Sequence, residues 1–367
     1  MMCSIIPPYL LRRIASLDDP AFAAAAQAAR GSLLVDRPFR GIRVGEPGPP
    51  TAAPTPRSTA IARQLEDPVR RIFDAGGDEE LPGELVRDDT TTDAPADEAV
   101  TEAWDGLGHT HELFRLEYSR ASIDDENLPL EATVHFGRDY DNAFWNGERM
   151  VFGDGDGVVF RRMTASLAVI GHELTHGVTQ YSANLEYTGQ SGALNESLSD
   201  VFGALVEQRT LGQEVGDATW LIGVGLFTDE VEGSAIRSLK APGTAYDDDV
   251  LGKDPQPDHM DGYVETDDDN GGVHFNSGIP NRAFYLVAEA LGGKAWEHAG
   301  QIWYDTLTGP LSPTVDFAGF AAATQDAATA RFGADSAEHA AVVSAWDTVG
   351  VIADSAAAVA PTEPNRP

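Results

Sequence analysis

The sequence predicts an α+β protein of two lobes, a β-rich one followed by a helical one, with a single helix at their junction. Three observations carry this. From about residue 61 to 165 the recurring signals are short stretches such as EATVHFG and RMVFGDGDGVVF, separated by many turns, which read as strands. From 166 onward amphipathic helical stretches dominate, among them RAFYLVAEAL, GGKAWEHAGQIWYDTL and FAGFAAATQDAATARFG. A chain of 367 residues that is 42% hydrophobic can give both lobes a core, and it contains no run of about eighteen apolar residues that would span a membrane.

Taken in order, the expected units are an N-terminal segment at 1–45, a proline-rich connection at 46–60, the β-rich lobe at 61–180, the helical lobe at 181–353 and a disordered tail at 354–367. The start, CSIIPPYLLRRIA, is not a secretory signal: the apolar stretch is brief, Pro7 and Pro8 break it, and neither a basic leader nor a small-residue cleavage site flanks it. Residues 9–34 read as one helical stretch with an alanine-rich centre. The stretch VGEPGPPTAAPTPRSTA (44–60) holds five prolines in seventeen residues and reads as an extended, exposed connection of the kind proteases nick. No internal repeat is visible.

The junction helix carries GHELTHGVTQY (171–181). Leu167, Ile170, Leu174 and Val178 follow helical spacing, and Thr164 or Ser166 is expected to cap the start. On a helix His172 and His176 lie roughly 40° apart on one face, one turn from each other, so both imidazoles reach a single ion of zinc size. Glu173 sits beside the pair, where its carboxylate can act on a water without being a ligand. The bland reading is an ordinary helix that happens to carry two histidines, since three fixed letters in five recur by chance.

A catalytic zinc usually has three protein ligands and an open fourth position, and His₂Glu is one such set. The third ligand is therefore expected from an acidic residue on a second helix. SGALNESLSDVFGALVEQR (191–209) supplies Glu196, and four residues on, Asp200 is placed to accept a hydrogen bond from a ligand histidine's other nitrogen. Acidic residues on a helix usually mark a solvated face, but these lie inside an apolar run where an unpaired charge is costly. Downstream, DDDNGGVHFNSG (267–278) puts His274 in a glycine-rich turn five residues after Asp269. A histidine kept protonated by a carboxylate can stabilise an oxyanion.

HELTH, NESLSD, YDNAFWNG, FGDGDG and DNGGVHFNSG occur in an order that resembles the thermolysin family of neutral metalloproteases (M4, gluzincins), over roughly residues 61–353. The resemblance implies a thermolysin-like two-lobe fold, one catalytic zinc held by His172, His176 and Glu196, and Glu173 as general base. It implies Tyr187 and His274 as oxyanion stabilisers with Asp269 behind His274, and Asp200 and Asn195 behind the zinc ligands. Asn142 and Ala143 match the edge-strand contacts to substrate backbone, and Arg237 the arginine that binds a substrate carbonyl. Phe160, Met163, Val169, Ile222 and Ile236 fall where the family lines its S1′ pocket, implying a bulky apolar residue after the cut bond. The N-terminal segment resembles the short propeptide of the family's protealysin-like branch. A zymogen released by a non-classical route, acting on peptides and proteins as a monomer, is the expectation.

Calcium is where the pattern departs from the family. Glu207 matches one carboxylate of the family's double-calcium site, but Ala168, Leu221 and Val224 stand where others are expected, so that site is largely lost. The aspartate runs 247–249 and 267–269 fit no ligand-loop template, so calcium stays open. A net charge of −34 argues against a nucleic-acid partner. Residues 1–60 hold seven Arg and four acidic residues, net +3, which leaves −37 on the remainder. The single cysteine, Cys3, excludes an intramolecular disulfide; as a thiolate it could fill the open zinc position, though a lone cysteine is more often a small apolar residue. Three alternatives stand beside this expectation: a zinc aminopeptidase, whose Gly-x-Met-Glu-Asn-type motif is absent; a catalytically dead binding protein, against which the intact Glu173, Tyr187 and His274 argue; and an enzyme with an added non-proteolytic role. Cleavage of N-terminally blocked peptides separates the first from an endopeptidase.

Overall fold

The computed structural model describes residues 3–41, 67–93 and 96–354, without the side chains of Cys3 and of 37–41. The connection expected at 46–60, the tail beyond 354 and the thiol of Cys3 lie outside the described residues. In chain order the elements are β1 (Cys3–Ser4), α1 (Pro8–Ala15), α2 (Ala23–Gly41), β2 (Arg70–Asp74), β3 (Glu84–Asp88), α3 (Glu98–Tyr118), β4 (Leu130–Val134), β5 (Ala143–Trp145) and β6 (Met150–Phe152). The second half follows with α4 (Leu167–Gln180), α5 (Gly189–Leu211), β7 (Leu221–Ile222), β8 (Arg237–Ser238), β9 (Asp247–Asp248), β10 (Gly252–Lys253), α6 (Asp269–Asn276), α7 (Gly278–Leu291), α8 (Ala299–Thr308), α9 (Phe317–Phe332) and α10 (Ala337–Thr348).

The expected division holds: a mixed sheet forms the first lobe and helices the second. The sheet runs β1-β5-β6-β4-β2-β3. β4 lies parallel to β2 and β6, while β5 is antiparallel to β6. β1 completes the sheet at its edge, antiparallel to β5, with Cys3 opposite Trp145 and Ser4 opposite Phe144. The N-terminal segment thus adds a strand to the body of the protein, satisfying edge amides that would otherwise face water.

Three local features differ from the sequence expectation. Residues 9–34 are two helices: α1 stops at Ala15, and Asp19 accepts from the Ala21 amide at 2.9 Å to start a 3₁₀ turn at Pro20. Proline disfavours helical backbone in the residue before it, which keeps Asp19 extended and prevents one continuous helix. The β-rich lobe also carries the 21-residue helix α3, capped by Asp97, which accepts from the Val100 amide at 2.9 Å. At the start of α4 neither expected hydroxyl caps. Thr164 donates instead to Glu102 at 2.8 Å, and the Ser166 hydroxyl is buried without a partner.

Helix α4 is buried on nearly every side, as a helix between two lobes must be. It crosses α5 at two glycines. A Cβ at Gly203 would lie 2.4 Å from the Ala168 carbonyl oxygen, and one at Gly171 would lie 3.0 Å from the Gly203 Cα. Only glycine allows this approach, and the approach brings Glu196 and Asp200 on α5 against the histidines of α4.

Candidate active site

The two histidines, one turn apart on α4, are fully buried, and their Nε2 atoms lie 3.0 Å from each other. The other ring nitrogens are occupied. Nδ1 of His172 lies 2.8 Å from Asp200 Oδ1, and Nδ1 of His176 lies 2.8 Å from Asn195 Oδ1 and 3.0 Å from the Ser199 hydroxyl. A carboxylate accepts only, so His172 donates from Nδ1, which in the neutral ring leaves a lone pair on Nε2. The Asn195 contact fixes His176 in the same way. Two lone pairs 3.0 Å apart repel unless a cation lies between them. Glu196 closes the triangle, 3.5 Å from His172 Nε2 and 3.6 Å from His176 Nε2. Its Oε1 accepts from the Tyr187 hydroxyl and its Oε2 has no hydrogen-bond partner.

Among the described residues, this is the group of three or more His, Cys, Asp or Glu whose ligand atoms converge, all within 4.8 Å. The donor set, the orphaned carboxylate oxygen and the histidine tautomers all fit zinc. Some of the carboxylates near the expected calcium positions have protein partners or are buried. Asp248 accepts from the amides of Glu232, Val250 and Leu251, Asp269 is taken by His274, and burial raises the carboxyl pKa of Glu207.

Glu173 is fully buried beside this cluster with no hydrogen-bond partner for either oxygen. Burial, with the Glu196 carboxylate adding to it, pushes its carboxyl well above the usual range. Asp200 is the opposite case. Burial acts to raise its pKa, but the Arg237 guanidinium and the His172 hydrogen bond outweigh it and hold the carboxyl well below its ordinary value. Arg237 donates through Nε and Nη2 to Asp200 at 2.8 Å each, and Asn281 Nδ2 donates to the same carboxylate at 2.9 Å.

His274 lies not in a simple turn but in α6, after a left-handed run at Asp269, Asn270, Gly271 and Gly272. That run folds Asp269 back, so that its Oδ1 meets His274 Nδ1 at 2.7 Å and its Oδ2 accepts the His274 amide at 2.9 Å. Burial alone would lower the pKa of His274; Asp269 and Glu196 overcome this and raise it. The ring's Nε2 lies 3.3 Å from the Tyr187 hydroxyl.

Strand β1 lies across this cluster. His274 Nε2 donates to the Ser4 carbonyl at 2.9 Å. The Ile5 amide donates to the Ala143 carbonyl at 3.1 Å, and the Ile5 carbonyl accepts from Arg237 Nη1 at 2.9 Å. The Ile6 amide donates to Asn142 Oδ1 at 2.8 Å, while Asn142 Nδ2 donates to Asp36 of α2 at 3.1 Å. Ile5 is fully buried in the same core as Phe160, Met163, Val169, Ile222 and Ile236, none of which is exposed. The structure therefore links His172, His176, Glu196, Asp200, Asn195, Tyr187, His274, Asp269, Arg237, Asn142 and Ala143, directly or through residues 4–6, by hydrogen bonds and ion pairs. It adds Ser199, Asn281 and Asp36. Ser199 follows Glu196 by three residues, a helical spacing that marks a shared face; the other two come from distant parts of the chain.

Two histidines and a glutamate that converge beside a second buried glutamate, between a sheet and a helical lobe, define a zinc metallopeptidase of the His₂Glu type. The comparisons give the family. Residues 59–180 match the thermolysin metallopeptidase catalytic domain, and residues 183–351 match the thermolysin metallopeptidase alpha-helical domain. The chain belongs to the thermolysin family of metallopeptidases. It is 50% identical over 354 residues to an extracellular metalloprotease of Pectobacterium carotovorum subsp. carotovorum, covering 95% of this chain and 96% of that one. It is 48% identical to protease PrtS of a Photorhabdus species over 77% of this chain and 76% of that one. The structure of the protealysin precursor from Serratia proteamaculans superposes with a TM-score of 0.83 at 47% identity, covering 95% of this chain and 99% of that one. Among the described residues no helix is long and apolar enough to cross a membrane.

Proposed function

We propose that this chain is the latent precursor of a zinc endopeptidase that works outside the cell and cuts before bulky apolar residues, with residues 1 to about 45 as its propeptide. One observation carries the reading: residues 4–6 lie antiparallel on the edge strand, with every backbone polar group from the Ser4 carbonyl to the Ile6 amide engaged. An extended peptide held in this way over a His₂Glu cluster is how an endopeptidase holds its substrate, and here the cleft's occupant is the chain's own N-terminus. Ile5 fills the position after the cut bond, in line with a preference for bulky apolar residues there. Extracellular action draws on the name of the Pectobacterium relative.

His172, His176 and Glu196 would hold the zinc, which when bound polarises a carbonyl and acidifies a water. Glu173 takes the proton of the attacking water and passes it to the leaving nitrogen, a role suited to a carboxylate whose pKa is raised by its burial. His274, kept protonated by Asp269, and the Tyr187 hydroxyl donate to the oxygen on which negative charge builds. Asn142, Ala143 and Arg237 hold the backbone beyond the cut bond, fixing register before reaction.

The test has two parts. Full-length Glu173→Ala chain, unable to cut itself, is treated in trans with active enzyme; cleavage is expected between residues 44 and 60. The linker-cut active chain is then given N-terminally blocked peptides that differ only in the residue after the cut bond. Leu, Ile or Phe there should be cut at least about tenfold faster than Gly or Asp, since one buried large apolar side chain contributes about 1.5–3 kcal/mol. Hydrolysis restricted to peptides with a free amino terminus would instead identify an aminopeptidase.

A further inference from the structure

The N-terminal strand does more than cover the cleft. Its hydrogen bonds fix which peptide bond lies over the catalytic groups. The Ser4 carbonyl oxygen is the one bound to His274 Nε2, whose ring lies 3.5 Å from Glu196 Oε2 and 3.3 Å from the Tyr187 hydroxyl. The next nitrogen, that of Ile5, points its hydrogen at the Ala143 carbonyl, and the next carbonyl is held by Arg237. The strand therefore runs with its carbonyl at the oxyanion donors and its amine side on the residues that hold the far half of a substrate. An inhibitory segment laid in the opposite direction would put no peptide bond in this frame. This one does.

We propose that the Ser4–Ile5 bond is a self-cleavage site: the precursor removes its own first four residues and remains latent. This rests on the endopeptidase reading above. One water adds across the bond. Its oxygen joins the Ser4 carbonyl carbon, the bond from that carbon to the Ile5 nitrogen breaks, and Glu173 carries a water proton to the departing nitrogen. The products are a Met1–Ser4 peptide with a carboxylate end and a chain that begins with the free amine of Ile5. No oxidant or second substrate is needed.

The clipped segment has reason to stay. Ile5 and Ile6 keep their bonds to Arg237 and Asn142, and both side chains remain fully buried. Behind them Leu10, Leu11 and Ile14 of α1 are buried, Ser32 of α2 accepts the Asp141 amide at 2.9 Å, and Asp36 accepts from Tyr140 at 2.7 Å. None of these contacts involves residues 1–4. Cutting at Ser4–Ile5 thus leaves a bound product, and release of activity still requires the cut in the connection near 44–60.

Two measurements test this. In the metal-free full-length chain, hydrogen exchange should find the amides of Ile5 and Ile6 protected, as their bonds to Ala143 and Asn142 require; free exchange at both would overturn the register. In the zinc-loaded full-length chain, intact mass and N-terminal sequencing should find a new start at Ile5. It should appear at a rate independent of protein concentration, with the connection uncut and no activity on a blocked peptide, whereas Glu173→Ala keeps Met1. If the same preparation, once cut in the connection, hydrolyses a blocked peptide but never loses residues 1–4, the self-cleavage is refuted and the endopeptidase reading stands. If it does neither, both fall.

Discussion

Arg237 on β8 and Asp200 on α5 form a fully buried pair, with Nε and Nη2 of the arginine each 2.8 Å from the carboxylate. The same carboxylate accepts a hydrogen bond from His172 Nδ1, and the arginine's remaining Nη1 donates to the Ile5 carbonyl. One acidic side chain thus links a metal ligand to the group that grips the peptide. Asp200→Asn retains the shape and one acceptor but removes the charge facing Arg237. Loss of such a partner behind a metal-bound histidine typically weakens metal binding about 10–100-fold, and the peptide's KM should rise as Arg237 loses its anchor. Competitive chelation and steady-state kinetics measure both; unchanged zinc affinity would remove Asp200 from this role.

Glu173 and Glu196 are both fully buried glutamates at the site, yet their replacement should give different losses. Glu173 is not among the converging ligand atoms, so Glu173→Ala should keep its zinc and lose about 10²–10⁴ or more in rate. Glu196→Ala removes one of three ligands, so zinc content itself should fall. Elemental analysis of the two purified variants separates the roles. Full zinc in both would mean that the third ligand is elsewhere.

Much of this site could be read from spacing. His172 and His176, and then Glu196 and Asp200, are each four apart on a helix, so a single periodicity puts each pair on one face. His274 is marked only by the glycine-rich stretch and Asp269 five residues before it, and Arg237 carries no local signal and follows from the resemblance to the family alone. Asn281, and Asp36 behind Asn142, join the site across 81 and 106 residues, contacts that no local pattern encodes. The misread elements have local causes. The Asp19–Pro20 step between the two helices is a break signal in the sequence, and the alanine-rich stretch after it favours helix strongly enough to mask it. Helix α3 has its apolar pattern interrupted by Gly106 and Gly108, which weaken a helical reading that burial of Trp104, Leu107 and Phe114 restores in the fold.

Asp36 anchors the N-terminal segment from a second direction. Buried on α2, it accepts from Tyr140 at 2.7 Å and from Asn142 at 3.1 Å, and Asn142 in turn holds Ile6. Hydrogen bonds to a charged group contribute about 1.5–3 kcal/mol each. Asp36→Ala should therefore loosen the segment by at least about tenfold once the connection is cut. The dissociation rate of the cut segment from the Glu173→Ala body, followed by size exclusion, is the measurement. An unchanged rate would mean that the strand and α1 alone hold it.

The last prediction concerns pH and a site away from the chemistry. His135, just past β4, has Nδ1 2.9 Å from Asp154 in the loop after β6, and its Nε2 lies 3.3 Å from Asp97, the cap of α3. The hydrogen bond to Asp154, against a smaller cost of burial and with added attraction from Asp154 and Asp97, raises its pKa from 6.5 to about 9. The folded state thus binds this proton more tightly than the unfolded chain, where a histidine titrates near 6.5. The resulting stability is fully present below about pH 6.5 and is lost as pH rises through about 9. His135→Gln can keep a hydrogen bond but cannot carry the charge. Its melting temperature should lie below that of the parent at pH 6, and the gap should narrow steadily toward pH 9.5. Thermal unfolding of the two Glu173→Ala backgrounds across that range decides it: a gap independent of pH would show that the clamp between α3 and the loop after β6 does not depend on a protonated histidine.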